Sequence, residues 1–129
     1  MNQEIKHFNQ LTVWQQAHNL VLEIYSLTLQ FPQEERFGII IQLRRASSSI
    51  TANIAEGCGR YHLKEKTRFY YQARGSLAEV QNFLILSKDL HYIKPERFNE
   101  LHQQVINIWQ LLNGLIRSIC ERIERGSSP

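Results

Sequence analysis

The stretch PERFNELHQQVINIWQLLNGLIRSICERIER, residues 95–125, decides the fold. Phe98, Leu101, Val105, Ile108, Leu112, Leu115 and Ile119 recur at steps alternating between three and four, the spacing that gathers side chains on one face of an α-helix. Pro95 suits a first helical turn, whose backbone N–H groups have no intrahelical partner anyway. Arg117, Arg122 and Arg125 suit the last turns, at the negative end of the helix dipole. The stripe reads as one seam of a bundle. A second apolar line, Ile106, Trp109, Ile116, Cys120 and Ile123, either completes a broad monomer core or forms a contact between copies. A bundle of 129 residues has little interior for both lines, and large exposed apolar patches mark association. Ile106, Trp109, Ile116 and Ile123 are therefore the candidate oligomer interface.

Three further periodic stretches lie upstream, with no internal repeat and no alternation long enough for a sheet. The first helix is expected from Thr12, with Gln15 completing a capping box, and turns Trp14, Ala17, Val21, Ile24, Tyr25 and Thr28 inward. It stops before Phe31-Pro32, because Pro32 disfavours helical geometry in the preceding residue. The second starts near Glu34 and Glu35, buries Phe37, Ile40, Ile41, Thr51, Ile54 and Ala55, and ends near Glu56, where Gly57 and Gly59 allow a left-handed cap. The third runs from about Lys64 to Leu90, with Phe69, Tyr70, Ala73, Leu77, Val80 and Leu84 inward and Gly75 marking the close approach of another backbone. The expected class is all-α: an antiparallel up-down-up-down four-helix bundle over residues 11–125, with an N-terminal extension at 1–10 and a tail at 126–129.

Composition is that of one folded domain, with 43% apolar and 21% charged residues. No run nears the roughly 20 apolar residues of a membrane span, and the first ten residues lack a signal-peptide core, so the cytoplasm is the expected compartment and no membrane role is expected. Cys58 and Cys120 have neither disulfide density nor zinc spacing and read as reduced small hydrophobes. The formal charge is +3, but from Arg44 to Arg74 seven basic residues face two acids, so that stretch carries +5 and the remainder −2.

Gln42, Arg45, Ser49, Asn53 and Glu56 form a polar line on the second helix, and Arg68, Gln72, Ser76 and Glu79 form one on the third. Folding the two helices back about Tyr61 and His62 sets Arg45 opposite Glu79, Ser49 opposite Ser76, Asn53 opposite Gln72, and Glu56 opposite Arg68. Such an inter-helix ladder, closing over Ala46, Ser47, Ser48, Ala52 and Gly75, fixes register. Alternatively, Arg45, Asn53 and Glu56 line a polar pocket or channel in an oligomer.

FPQEERFGIIIQLRRASSSITANIAEGCGR at 31–60 and QARGSLAEV at 72–80 resemble the bacterial four-helix-bundle family found as reading frames within intervening sequences of 23S rRNA genes. The resemblance extends from LTVW at 11–14 to HYI at 91–93. It implies an antiparallel bundle, commonly a homopentamer, without established enzymatic activity. Arg45, Ser49, Asn53, Glu56, Gly57, Gly75, Ser76 and Glu79 match the family pattern, whereas Cys58 stands where an aromatic residue is common. More distantly, the chain is similar to the accessory variability protein of diversity-generating retroelements, a basic pentamer that binds nucleic acid and a reverse transcriptase.

Arg44, Arg60, Lys64, Lys66, Arg68 and Arg74, interleaved with Tyr61, Tyr70 and Tyr71, are the candidate nucleic-acid contacts, for RNA or DNA. An oligomer would multiply such a patch. The alternative is a scaffold presenting a symmetric surface to another protein, a reverse transcriptase among the candidates. An enzyme is not expected, and neither a metal nor a cofactor. The five histidines are scattered, Gly57-Cys58-Gly59 follows a helix instead of opening one, Cys58 sits at the dipole end that disfavours a thiolate, and Ser47, Ser48 and Ser49 have no matching base.

Overall fold

In a computed structural model, residues 7–126 are described; residues 1–6 of the expected N-terminal extension and 127–129 of the expected tail lie outside the described residues. Four helices account for most of the chain: α1 (Thr12–Thr28), α2 (Ile39–Cys58), α3 (Leu63–Asp89) and α4 (Pro95–Glu124). Short 3-10 turns at Phe8–Gln10 and Gln33–Glu35 complete the secondary structure, and the described residues contain no strand. Helix α1 packs on α2 and α4, and α3 packs on α2 and α4. The cross-section is thus closed, as fits a four-helix bundle.

The seam of α4 does what its spacing dictates. Phe98, Leu101, Val105, Ile108, Leu112 and Ile119 are buried. The first five share a core with Ala17, Leu20 and Ile24 of α1, Leu43, Ile50 and Ile54 of α2, and Leu77, Val80 and Leu84 of α3, all with next to no exposure. A smaller cluster of Leu63, Tyr70, Ile116 and Ile119 lies where α3 begins and α4 finishes. Cys120 and Ile123 pack against it, and Cys58 and Cys120 are both free and part-buried. Among the described residues no helix is long and apolar enough to cross a membrane.

Several local expectations are corrected. Helix α2 starts at Ile39, because Gly38 takes φ −112°, ψ −111°, off the helical path, and separates the turn at Gln33–Glu35 from the helix. Phe37 precedes that break, so helical periodicity does not apply to it, and it is 80% exposed instead of buried. Tyr25 lies on the outer side of α1 beneath the Arg44 guanidinium. The start of α1 has no side-chain cap; Gln15 donates to the Asn9 carbonyl instead, at 2.9 Å. Gly59 ends α2 in right-handed geometry, φ −82°, so no left-handed cap forms there. That conformation occurs after α3, where His91 has φ 66° and the Tyr92 and His91 N–H groups donate to the Ser87 and Lys88 carbonyls.

The close approach of helices occurs at Gly57, not Gly75. A Cβ on Gly57 would lie 2.7 Å from Cε1 of Tyr70 and 3.1 Å from Cβ of Phe69, whereas one on Gly75 meets nothing within 4 Å. Gly57→Ala is therefore expected to cost about 1–3 kcal/mol through overpacking, and Gly75→Ala to gain up to about 1 kcal/mol through helix propensity. Urea unfolding of the two variants should move the midpoint in opposite directions.

Candidate nucleic-acid interface

The α2–α3 turn is built on that glycine. With the helices this close, the Lys66 ammonium donates to the carbonyls of Cys58 at 2.9 Å and Gly57 at 3.3 Å. A cation in the first turn of α3 thereby caps the negative end of α2. Burial pushes the Lys66 amine below the ordinary lysine range; nearby Cys58 opposes this and the Arg122 guanidinium adds to it. Burial likewise pushes the Tyr70 hydroxyl well above the usual phenol range. Both groups are structural.

Around Lys66 and Tyr70 lies a rim of cations. Arg60 donates to Glu56 at 2.6 Å and lies over the Phe69 ring at 4.8 Å, and Arg68 lies over the same ring at 4.9 Å. Lys64 is exposed and, among the described residues, has no hydrogen bond or ion pair. The end of α4 joins them, because Ile116, Ile119 and Ile123 pack on Leu63 and Tyr70. Arg117, Arg122 and Arg125 thus reach the same end of the bundle, exposed and without a hydrogen-bonding or ion-pair partner among the described residues. Sequence reading missed this half of the rim. More than 40 residues separate it from the turn, and its arginines have a sufficient local explanation in the helix dipole.

Arg44 and Arg74 stand elsewhere. Arg44 donates to Oγ1 of Thr28 at 2.9 Å and the Tyr25 carbonyl at 3.3 Å, stapling α2 to α1. Arg74 donates to Asn113 Oδ1 at 2.8 Å and lies over the Tyr71 and Trp109 rings, stapling α3 to α4. In the closed cross-section those seams are opposite each other. The six candidate cations therefore do not make one surface: Arg60, Lys64 and Arg68 share the turn, Lys66 is spent on capping, and Arg44 and Arg74 are packed into separate grooves.

The family can now be placed. The model of the 23S rRNA-intervening sequence protein family matches residues 9–114. The chain belongs to this family. The fold of this family member is similar to the crystal structure of a protein with unknown function from the S23 ribosomal protein family of Bacteroides thetaiotaomicron, with a TM-score of 0.74 and 21% identity over 81% of this chain and 98% of that one. At that identity the likeness concerns the fold alone. No curated protein matches the chain. Arg117, Arg122 and Arg125 lie beyond the matched span, so the α4 half of the rim is not part of the family match.

Of the expected polar ladder, one rung is bonded across the helices: Ser76 Oγ donates to Ser49 Oγ at 2.9 Å. Asn53 turns back along its own helix to the Ser49 carbonyl and hydroxyl instead of reaching Gln72. Glu56 takes Arg60 in place of Arg68, since Arg60 is one turn away on a continuous path. Arg45, Gln72 and Glu79 are exposed and have no hydrogen bond or ion pair among the described residues. The premise of a buried Arg45–Glu79 pair fails, because both side chains lie on the outer edge of the α2–α3 seam. Glu79→Ala should accordingly leave the unfolding midpoint within about 0.5 kcal/mol of the parent.

The candidate oligomer residues also divide. Ile116 is 5% exposed and Ile123 part-buried, both packed within the chain. Ile106 and Trp109 line an apolar hollow of about 290 Å³ with Ala78, Gln81, Val105 and Gln110. The second apolar line thus completes the core toward the end of α4 and stays open only near its middle.

A further polar cluster was not visible in the sequence. Glu23 accepts from Arg97 at 2.7 Å and Gln104 at 2.8 Å, and Arg97 also holds Glu100 at 2.9 Å. Burial is the largest single influence on Glu23 and raises its pKa, but the bonds from Gln104 and Arg97 and the Arg97 charge together leave it below the ordinary value. A carboxyl depressed in the native state contributes stability above its unfolded pKa and loses it as pH falls through the native one. Glu23→Gln should therefore be less stable than the parent near neutrality, with the difference shrinking in acid. Thermal unfolding between pH 7 and pH 3 checks this.

Proposed function

We propose that the chain is a non-enzymatic, antiparallel up-down-up-down bundle that assembles with copies of itself and binds nucleic acid, RNA foremost, through the basic rim at the α2–α3 end. The observation that carries the reading is the convergence at one end of Lys64 and Arg68 from α3 with Arg117, Arg122 and Arg125 from α4, exposed and free of ion pairs among the described residues. Unpaired cations gathered at one place bind a polyanion by releasing its counterions. Relative to the stretch Arg44–Arg74, the site loses Arg44 and Arg74 to the seams and gains the end of α4. The antiparallel arrangement is supported by Lys66 meeting Gly57 while Ser76 meets Ser49, and by Gln81 meeting His102 while Arg74 meets Asn113.

Self-association is supported by exposed apolar side chains: Leu22, Tyr25 and Leu29 follow one another at helical spacing along the outside of α1 and its C-cap, Leu29 at 77% exposure, and Phe37, ahead of α2, is 80% exposed. Ile106 and Trp109 add a second patch. Five subunits is the number that family resemblance favours. Each added subunit repeats the basic rim, so a weak single contact becomes a strong multivalent one. Leu29→Asp with Phe37→Asp should lower the mass measured by light scattering while helix content is retained; an unchanged mass would place the contact elsewhere.

Binding to a structured RNA should weaken linearly on a log–log plot as salt rises, with a slope of about −0.7 to −0.9 per phosphate neutralised. Lys64→Ala with Arg68→Ala should flatten that slope, and Arg74→Ala should not. A second reading, a scaffold for a protein such as a reverse transcriptase, is favoured by the exposed Leu29 and Phe37. It is preferred if no RNA binds at about 50 mM salt while the assembly is intact.

A further inference from the structure

Cations select a polyanion without selecting its strandedness; the aromatic residues beside them supply that choice. Of the three tyrosines near the basic stretch, Tyr70 is buried in the α3–α4 cluster, and Tyr71, though 44% exposed, has the seam residue Arg74 over its ring at 4.8 Å, away from the rim. Tyr61 is different. It sits in the α2–α3 turn at 74% exposure, and its ring meets the His62 ring edge-on at 5.2 Å. On either side in sequence stand Arg60, fixed by Glu56 and Phe69, and Lys64, with Arg68 one helical turn further on, about 6 Å along the axis. Arg60 and Arg68 share the Phe69 ring, and Tyr61 directly follows Arg60 in the turn that leads into α3.

We infer that this turn holds an unpaired nucleotide of a single-stranded nucleic acid, with the base stacked on Tyr61 and neighbouring phosphates neutralised by Lys64 and Arg68. The inference rests on the nucleic-acid reading above and adds the state of the strand to it. A base within a duplex has both faces covered by its neighbours, whereas one in a loop or single strand offers a face to an aromatic platform. Stacking of this kind tolerates any base, since every base has a π-face. The rigid footing matters as well: Lys66 ties α3 to the last carbonyls of α2, so the turn is already in place before a ligand arrives.

The test is fluorescence anisotropy of a labelled single-stranded RNA 12-mer and of the duplex of the same sequence, with the parent, Tyr61→Ala and Tyr61→Phe, in a salt series. The single strand should bind more tightly than the duplex. Tyr61→Ala should weaken the single strand by about 5- to 100-fold without changing the salt slope, and Tyr61→Phe should keep parental affinity. Because Tyr61 is exposed, neither variant should disturb folding, which circular dichroism verifies. Equal affinity for both forms, or parental affinity in Tyr61→Ala, overturns the stacking site and leaves the phosphate-binding rim standing. No binding of either form at about 50 mM salt overturns the nucleic-acid reading itself.

Discussion

The rest of the structure depends on the absence of one side chain. At Gly57 the Tyr70 ring and the Phe69 Cβ occupy the space a Cβ would need, so α2 and α3 close on each other at the end where the chain turns between them. Close packing brings Lys66 over the final carbonyls of α2 and keeps the turn short. It also presses Tyr70 against Ile116 and Ile119, which seats the last turns of α4. Further along the same seam Ala46, Ile50, Ala73 and Leu77 are buried in the core, and Ser76 hydrogen-bonds Ser49 across the two helices.

From this packing follows a division among the basic residues. Two cations along the seams are used up as staples, Arg44 on Thr28 and Tyr25 and Arg74 on Asn113 and Trp109, whereas Arg45, at the outer edge of the α2–α3 seam, stays exposed. At the bundle end Lys64, Arg117, Arg122 and Arg125 are exposed, with no hydrogen bond or ion pair among the described residues. The charge excess between Arg44 and Arg74 becomes, in three dimensions, two staples, one cap, a rim and the exposed Arg45 on the α2–α3 seam. The rim is exposed and free of ion pairs among the described residues, Arg60 excepted.

The four helices and their inward faces were legible because burial imposes a period on apolar residues, and α4 carries that period through its whole length. Thr12 and Pro95 begin their helices where the sequence places them. Phe37 misled because an apolar residue just ahead of a helix has the composition of a core residue without its geometry, and the break at Gly38 has no periodic signature. Gly57 and Gly75 look alike in sequence; only the partner helix distinguishes a glycine that admits a tyrosine ring from one that faces open space. The ladder arithmetic placed Ser49 opposite Ser76 correctly, but antiparallel complementarity cannot tell a buried rung from an exposed one, and for Glu56 a nearer arginine on the same path took the carboxylate. The α4 half of the rim, and the Glu23–Arg97–Gln104 cluster, depend on tertiary neighbours that no local pattern announces.

Hydrogen exchange measured by mass spectrometry on the intact protein, with and without a saturating single-stranded RNA, tests the central claim most directly. If the bundle end is the binding surface, added protection should fall on peptides covering residues 59–69 and 117–126 and leave the middle of α2 and α3 unchanged. Protection centred instead on Arg44 and Arg74, or none at all while the RNA is bound, would contradict the account.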